Sequence, residues 1–316
     1  MFCQSCNVGI NEFEGNKGID TSIKNQIHFL NDAVLKSAIT NDENALKLLM
    51  SDKLLEISNG QLSEMLKQLS FIFKDNSARI YDEYYLKNSN TKTSQTVVSG
   101  TSGGDVYKLT YKGICSENYI SLLIPKDNIE GVILVIIYGK YDDEWKINMM
   151  NLGRLKFDNK NSIQHLYDAE THLYNGHLID ASNSILIAGE CLKPFPFWEY
   201  EQESRFDELH KEVQQQLQET YNMPIIVDRV KSSPQIYSIS PQKLPKGFFP
   251  VVKYLSKIDL SDTIALKEEN NQLHSVIGDV FAGIKTNNKL IVYKVVNEIP
   301  KEGEMVSNYG FLKENE

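Results

Sequence analysis

The chain has 316 residues, 41% of them apolar, and a formal net charge of −9 that comes from 42 acidic and 33 basic side chains. This length predicts two domains of roughly 150 residues each, and the composition is typical of a soluble globular protein. Nucleic acid is not an expected partner, because binding to phosphates needs clustered Lys and Arg and the acidic sequence has no basic block. The longest strongly apolar run, residues 131–139, is less than half of the roughly 20 residues that a transmembrane helix needs.

The first residues, MFCQSCN, carry two cysteines, Cys3 and Cys6. Cys6 follows a small residue and precedes a polar, Gly- and Asn-rich stretch, which indicates a flexible tether over residues 1–18. This arrangement resembles the lipobox of bacterial lipoproteins, with Cys3 at the position where that family prefers Leu. The resemblance implies lipid attachment at Cys6 and a place in the periplasm or at the cell surface. Since no charged start or apolar stretch precedes the motif, we expect the sequence to begin inside the signal.

Two other interpretations of the N-terminus stay open. If Met1 is the true start, the protein is cytoplasmic and carries free thiols and no lipid. A structural metal site or a redox pair would need further ligands, whereas the other cysteines, Cys115 and Cys191, are isolated and far apart. We therefore predict no metal and no cofactor, and contact with a membrane only through a lipid anchor.

Three helices are predicted after the tether. Asp20 is placed to cap the first, in which apolar residues recur at three- and four-residue steps from Ile23 to Ala38. The second helix covers about residues 44–57 and the third residues 61–73, each after a short polar break. The spacing predicts that each helix buries one face.

From Arg79 the apolar period changes to two. Five segments rich in β-branched and aromatic residues follow, separated by Gly, Asn, Asp or Pro: 79–87, 105–113, 118–126, 131–141 and 144–155. Residues Ile19 to Phe157 resemble the NTF2-like (cystatin-like) superfamily. The resemblance lies in the order of helices followed by an antiparallel meander, whose last strand has the sequence EWKINMMNLG. The resemblance implies a domain over residues 19–158 in which helices and a bent sheet form a cone. Such a cone holds a ligand, houses an active site or is filled by side chains.

The pattern becomes helical again after this domain. Small residues between Ala169 and Ala188 lie near the spacing of a tetratricopeptide repeat, so residues 159–222 resemble a single TPR-like helical hairpin. Within this segment, the aromatic and Pro-containing stretch 194–200 is expected to brace the sheet domain. No second copy of the repeat follows, which argues against a solenoid.

Residues 223–316 predict a separate small α+β domain. Short strands alternate with Pro-containing turns, and a final strand follows near residue 290. Between them, apolar residues at helical spacing favour a helix over residues 267–281.

An acidic residue and several tyrosines on the predicted strands are the candidate catalytic group. In a ketosteroid-isomerase-type NTF2-like cone, a carboxylate base and Tyr donors that face one pocket move a proton beside a carbonyl. The candidates here are Glu83 as base and four tyrosines as donors: Tyr81, Tyr85, Tyr107 and Tyr111. Because Tyr is also a favoured strand residue, packing explains the same pattern, and no residue is assigned a catalytic role.

A second group of polar residues lies on the helical hairpin. His165, Asp168 and His172 fall near one face of a predicted helix, and His177 follows just beyond. A metal needs three or four convergent ligands, whereas this face offers three spread over two turns, without the HExxH spacing. We interpret these residues as exposed polar positions of the hairpin.

Together these features predict an α+β protein whose function is non-catalytic binding or assembly at the bacterial cell envelope. Its partner would be an unknown protein or small ligand. One alternative is an NTF2-like enzyme that transfers protons with an acid/Tyr pocket in the cone, and another is a cytosolic protein of unknown role. A dry pocket with a carboxylate of raised pKa beside Tyr hydroxyls would favour the enzyme, and a cone filled by apolar side chains would argue against it.

Overall fold

A computed structural model describes residues 10–58, 60–74, 78–88, 95–98, 106–127, 131–244, 247–301 and 303–315. These residues form eight α-helices and fifteen strands, which confirms the α+β class. The chain divides into two compact units: the first comprises Met1–Asn159 and Cys191–Glu201, and the second comprises Lys160–Glu190 and Gln202–Glu316. Within the described part of the chain, no helix combines the length and the apolar composition needed to cross a membrane.

The helices are α1 (Thr21–Ile39), α2 (Glu43–Leu49), α3 (Asp52–Ile57), α4 (Leu62–Ile72), α5 (Ser162–Tyr174), α6 (Leu178–Glu190), α7 (Glu203–Thr220) and α8 (Thr263–Val280). The strands are β1 (Ile10–Gly15), β2 (Ala78–Asn88), β3 (Gln95–Val98), β4 (Tyr107–Tyr111), β5 (Glu117–Pro125), β6 (Val132–Tyr141), β7 (Glu144–Arg154), β8 (Lys156–Phe157), β9 (Lys160–Asn161), β10 (Trp198–Tyr200), β11 (Ile225–Ile226), β12 (Gln235–Leu244), β13 (Gly247–Leu255), β14 (Leu290–Val296) and β15 (Tyr309–Glu314).

The first unit is built on a five-stranded antiparallel sheet with the strand order β1-β2-β5-β6-β7. Asp20 caps α1 by accepting hydrogen bonds from the backbone N–H groups of Ser22 and Ile23. The apolar face that follows packs with α4 and the sheet in one core, which includes Ile27, Val34, Leu35, Leu66, Leu69, Leu134, Ile136 and Ile147. Four of the five predicted strand segments form this sheet after the helices, whereas the segment 105–113 forms β4 of another sheet. The NTF2-like resemblance stays a prediction.

The second predicted helix is divided in two by Met50 and Ser51. The backbone N–H of Ser51 bonds to the carbonyl of Ile147 in β7, so the chain leaves the helical path at this point. The Ser51 hydroxyl then accepts a hydrogen bond from the N–H of Leu54 and caps α3. The prediction of one continuous helix over residues 44–57 is therefore wrong, because a tertiary hydrogen bond replaces a helical one.

A second sheet in the same unit has the strand order β10-β4-β3. The outer strand β10 lies in the aromatic segment 194–200 and pairs with β4. Trp198 stacks on Tyr107 with 3.7 Å between ring centroids. Gly153 in β7 permits the approach of this segment, because an added Cβ would collide with the carbonyl oxygen of Pro194. The bracing role expected for the segment is confirmed.

The predicted tether over residues 1–18 is wrong for its last part. Residues 10–15 form β1, which pairs with β2 in antiparallel register. The side chain of Asn16 then donates to Asp82 at 2.7 Å and accepts from the backbone N–H of Glu83 at 3.0 Å. The polar composition indicated a tether, but the hydrogen-bonding groups along β2 give this segment a partner. Cys6 lies outside the described residues.

The second unit combines four helices, α5 to α8, with a five-stranded sheet of order β11-β12-β13-β14-β15. β13 and β14 are parallel and are connected through α8, which confirms the predicted C-terminal helix. Ile179 of α6 and the residues Leu217 and Tyr221 at the end of α7 pack into the same core as the sheet. Residues on both sides of the predicted boundary at residue 222 thus share one core. A second cluster, which joins α5, α6 and α7 through Leu166, Ile185 and Leu209, lies within the predicted helical segment.

Candidate functional site

Glu83, the acidic residue of the predicted cone, lies in β2 with its side chain buried. Its Oε1 lies 3.0 Å from Nζ of Lys24, and its Oε2 lies 2.8 Å from Nε2 of His28. The hydroxyl of Tyr119 in β5 donates to Oε2 at 2.6 Å. Lys24 and His28 are one helical turn apart on α1, so helix and sheet hold both carboxylate oxygens.

These contacts favour the ionised form of Glu83. Burial alone would raise the pKa of its carboxyl group, but hydrogen bonds from Tyr119, His28 and Lys24 outweigh burial and bring the pKa below its ordinary value of 4.5. Burial and the bond to Glu83 raise the pKa of Tyr119. A general base that works near neutral pH needs a raised carboxyl pKa instead, so the arrangement suits charge stabilisation better than proton transfer.

The four tyrosines predicted beside Glu83 make their described hydrogen bonds elsewhere. Tyr85 donates to Glu117 at 2.6 Å, Tyr107 donates to Asp82 at 2.5 Å, Tyr111 donates to Asn118 at 3.3 Å, and the ring centroid of Tyr81 lies 6.3 Å from that of Tyr107. Side chains alternate between the faces of a strand, so Asp82 and Glu83 point to opposite sides of β2. The tyrosines are therefore divided between the two faces, and the partner of Glu83 is Tyr119, which the sequence analysis missed.

Apolar side chains pack between α1 and the sheet, and a groove of about 530 Å³ lies beside this core, between α1, the end of α2 and the start of β7. Besides the apolar core, a buried polar network joins helix and sheet: Asn31 donates to the hydroxyl of Ser121 at 2.9 Å and accepts from the hydroxyl of Tyr138 at 2.8 Å. Such fully satisfied networks fix the packing of a core. The helical face of this sheet thus has the features of a packed core.

The structure regroups the hairpin histidines. Asp168 contacts Lys160 at 2.5 Å, and His165 is buried 3.9 Å from the same carboxylate. His172 instead lies near His177 and near Asp180, a residue that the sequence analysis did not consider, and the potential ligand atoms of these three residues lie within 4.8 Å of one another.

Local backbone geometry explains this regrouping. α5 ends in a Schellman motif, in which Gly176 adopts φ +73° and its N–H bonds to the carbonyl of Leu173. In the same motif the N–H of His177 bonds to the carbonyl of His172, which brings the two side chains together. Asp180 follows in the first turn of α6, where acidic residues are favoured.

The amide of Asn287 completes this cluster. Its Nδ2 lies 2.8 Å from Oδ2 of Asp180, 3.0 Å from Nδ1 of His177 and 3.5 Å from Nδ1 of His172. Asn288 donates to the other oxygen of Asp180 at 2.7 Å. Burial lowers the pKa of His172, with the neighbouring carboxylates acting in the opposite direction.

A groove of about 530 Å³ lies in the same unit, between α6, the end of α7 and β12. Its lining is apolar at Ile179, Leu217 and Ile239 and polar but uncharged at Ser182 and Gln218. This volume is within the range of ligand pockets. The groove can therefore accommodate an uncharged molecule or chain segment.

One polar group in the wall of this groove has no partner. Asn183, on α6, is 8% exposed, and its Nδ2 has no hydrogen-bond acceptor within the described ranges. A buried donor left without an acceptor costs roughly 1–3 kcal/mol. An occupant with a carbonyl or hydroxyl oxygen at this position would recover that free energy.

Comparison of the chain with models of known protein families finds no match, and comparison with curated proteins finds none either.

Proposed function

We propose that this protein is a non-catalytic binding protein that recognises an uncharged, partly apolar chain segment in the groove of its second unit. The buried amide donor of Asn183 carries the proposal, since this residue lines a cavity of ligand size and its donor lacks an acceptor among the described residues. The arrangement of Glu83 supports a non-catalytic function, because its charge is stabilised by neighbouring side chains.

The strand wall of the groove favours an extended peptide as the occupant. β11 pairs with β12 at Gln235 and Ile236 alone. After Ile236, no described strand pairs with the edge of β12 that faces away from β13. The next residues of β12, Tyr237 to Ile239, line the groove. Backbone groups on such an edge can pair with an added strand, while the apolar wall takes its side chains.

We also propose, from the resemblance of the N-terminal motif to a lipobox, that the binding takes place at the cell envelope with a lipid on Cys6. The intact mass of the mature protein, expressed in a bacterial host from codons upstream of Met1, tests this part. A diacyl or triacyl addition on Cys6 would support a location at the cell envelope, and an unmodified chain that begins at Met1 would contradict that location.

The groove is tested with peptides selected from a random display library against the full chain. We expect Asn183→Leu to lower the affinity for the selected peptides about tenfold or more, because it removes the amide donor and narrows the groove. Ser238→Arg, which adds a charge to the strand wall, is a second variant. Asn44→Leu makes the same chemical change as Asn183→Leu at an exposed position of α2 and is the matched control.

Fluorescence polarisation of one labelled peptide measures the dissociation constants. Equal affinity for the wild type, Asn183→Leu and Ser238→Arg would show that the groove does not bind the peptide. A selection that yields no binding peptide would likewise contradict a peptide-binding function.

A further inference from the structure

We propose that His172, His177 and Asp180 bind a divalent transition-metal ion such as Zn²⁺. Their ligand atoms come from the end of α5, the turn after it and the first turn of α6. The site is separate from the groove proposed to bind peptides, and the argument for it does not depend on that function.

The first observation is that two imidazole nitrogens and a carboxylate oxygen converge on one point. The amide nitrogen of Asn287 occupies this point, 2.8 Å from the carboxylate of Asp180 and 3.0 and 3.5 Å from the Nδ1 atoms of His177 and His172. An amide NH₂ group has two hydrogens, so it can donate to at most two of these three atoms. A metal ion accepts all three lone pairs together.

The second observation is the charge of Asp180. This residue is 3% exposed, and its described hydrogen bonds come from the neutral amides of Asn287 and Asn288. Buried carboxylates are normally paired with a cation or coordinate a metal. A divalent ion would supply the positive charge that the neighbouring amides lack.

The third observation is that the backbone leaves room for this convergence. Gly283 has φ +88°, and an added Cβ would lie 2.5 Å from Cγ of His177, 2.6 Å from Oδ2 of Asp180 and 2.7 Å from Nδ2 of Asn287. Both the positive φ and the close approach require glycine. The loop therefore packs directly against the cluster.

The ligand set indicates the class of ion. Imidazole nitrogens together with a carboxylate oxygen suit Zn²⁺, Co²⁺, Ni²⁺ and Cu²⁺, whereas Mg²⁺ and Ca²⁺ prefer oxygen ligands alone. Asn287 is exposed, so its side chain can turn toward solvent and admit the ion. Zinc sites with three protein ligands leave a fourth position to water or another molecule.

The experiment titrates Zn²⁺ into the untagged full chain by calorimetry. Cys3 and Cys6 are replaced by Ser so that these thiols cannot bind the metal. We expect one site per chain and no heat of binding from Mg²⁺. We expect His172→Gln and His177→Gln to lower the affinity for Zn²⁺ by at least 10- to 100-fold. Loss of a residue that only hydrogen-bonds to a metal ligand already has an effect of this size. His210→Gln, on α7, is the control and should leave the affinity unchanged.

A second variant separates a metal site from a purely structural amide cluster. Asn287→Asp places a second carboxylate beside Asp180, so in metal-free buffer it should lower the protein's stability by like-charge repulsion. With a metal site, Zn²⁺ should reverse this loss and bind Asn287→Asp more tightly than the wild type. A wild type that does not bind Zn²⁺, an affinity unchanged in both histidine variants, or an Asn287→Asp protein that Zn²⁺ does not stabilise would each overturn the proposal.

Discussion

Each unit of the molecule contains buried carboxylates, and two of them, Glu83 in the first unit and Asp180 in the second, are surrounded differently. Glu83 in the first unit contacts an ammonium group, an imidazole and a Tyr hydroxyl, which together occupy both oxygens. Asp180 in the second unit also has both oxygens occupied, but by neutral side-chain amides. The comparison shows that two carboxylates of similar burial, each with both oxygens in contact with side chains, can have very different electrostatic surroundings.

The difference separates a structural network from a candidate binding site. The charge of Glu83 is balanced by residues of the same unit, so the loss of one partner would leave the other charge buried and uncompensated and would destabilise the core. Around Asp180, two imidazoles and an amide converge on one point, and the described hydrogen bonds of the carboxylate come from neutral amides alone. An ion from solution would supply that charge, and this is why we place the metal in the second unit.

The largest effect is expected from Zn²⁺ and the variant Asp180→Asn. At a Zn²⁺ concentration 100-fold above the dissociation constant, the ion should stabilise the wild type by about 2.7 kcal/mol. Asp180→Asn should lose this gain, and without metal its free energy of unfolding should fall by roughly 1–3 kcal/mol, because the new amide NH₂ faces the donor amide of Asn287 or Asn288. Amide hydrogen exchange in α6, which belongs to the second unit, measures both values. Equal protection of wild type and variant by Zn²⁺ would contradict the assignment of Asp180.

The next effect is expected from Glu83→Gln, which keeps the shape of the side chain and removes its charge. The free energy of unfolding of the first unit should fall by about 2 kcal/mol, the range for a buried hydrogen bond to a charged group. Both tryptophans of the chain, Trp145 and Trp198, belong to this unit, so Trp fluorescence in urea measures its unfolding.

The matched control for this variant is Glu43→Gln. Glu43 forms an exposed ion pair with Lys47 one turn away on α2, and such pairs contribute about 0.3–0.5 kcal/mol. If the two Glu→Gln changes lowered the stability equally, the network around Glu83 would not have the role that we assign to it.

A smaller effect should appear in the pH dependence of the stability that Glu83 contributes. Its pKa is lower in the folded protein than the ordinary 4.5, so the unfolded chain takes up the proton first as the pH falls. The stabilisation is therefore complete above the ordinary pKa and is lost as the pH falls through the folded value. Urea unfolding of wild type and Glu83→Gln should show a larger difference at about pH 5.5 than at about pH 3.5. A difference that grows in acid would mean that burial dominates and that the pKa is raised.

Local patterns in the sequence predicted the elements that depend on local forces. The cap at Asp20, the apolar spacing along α1 and the helix α8 follow from residues close together in the chain, and all three are observed. The break at Ser51 and the strand β1 depend on hydrogen bonds to distant strands. No periodicity within those segments could indicate these partners.

The same distinction applies to the candidate sites. Glu83 was found as an acidic residue on a strand, but its partner Tyr119 depends on the register of β2 with β5, and Tyr107 lies in another sheet. For the metal cluster, Gly176 between His172 and His177 was a local signal of a helix end that brings both rings together. The contribution of Asn287 could not be predicted, because it lies more than a hundred residues away in sequence.

The account is tested most directly by a crystal structure of the Zn²⁺-soaked protein, with anomalous diffraction measured on both sides of the zinc edge. We predict one strong zinc peak about 2.0–2.2 Å from Nδ1 of His172, Nδ1 of His177 and a carboxylate oxygen of Asp180. The side chain of Asn287 should be displaced from the position between them. A crystal in which these three residues keep their contacts with Asn287, with zinc elsewhere or bound nowhere, would contradict the account.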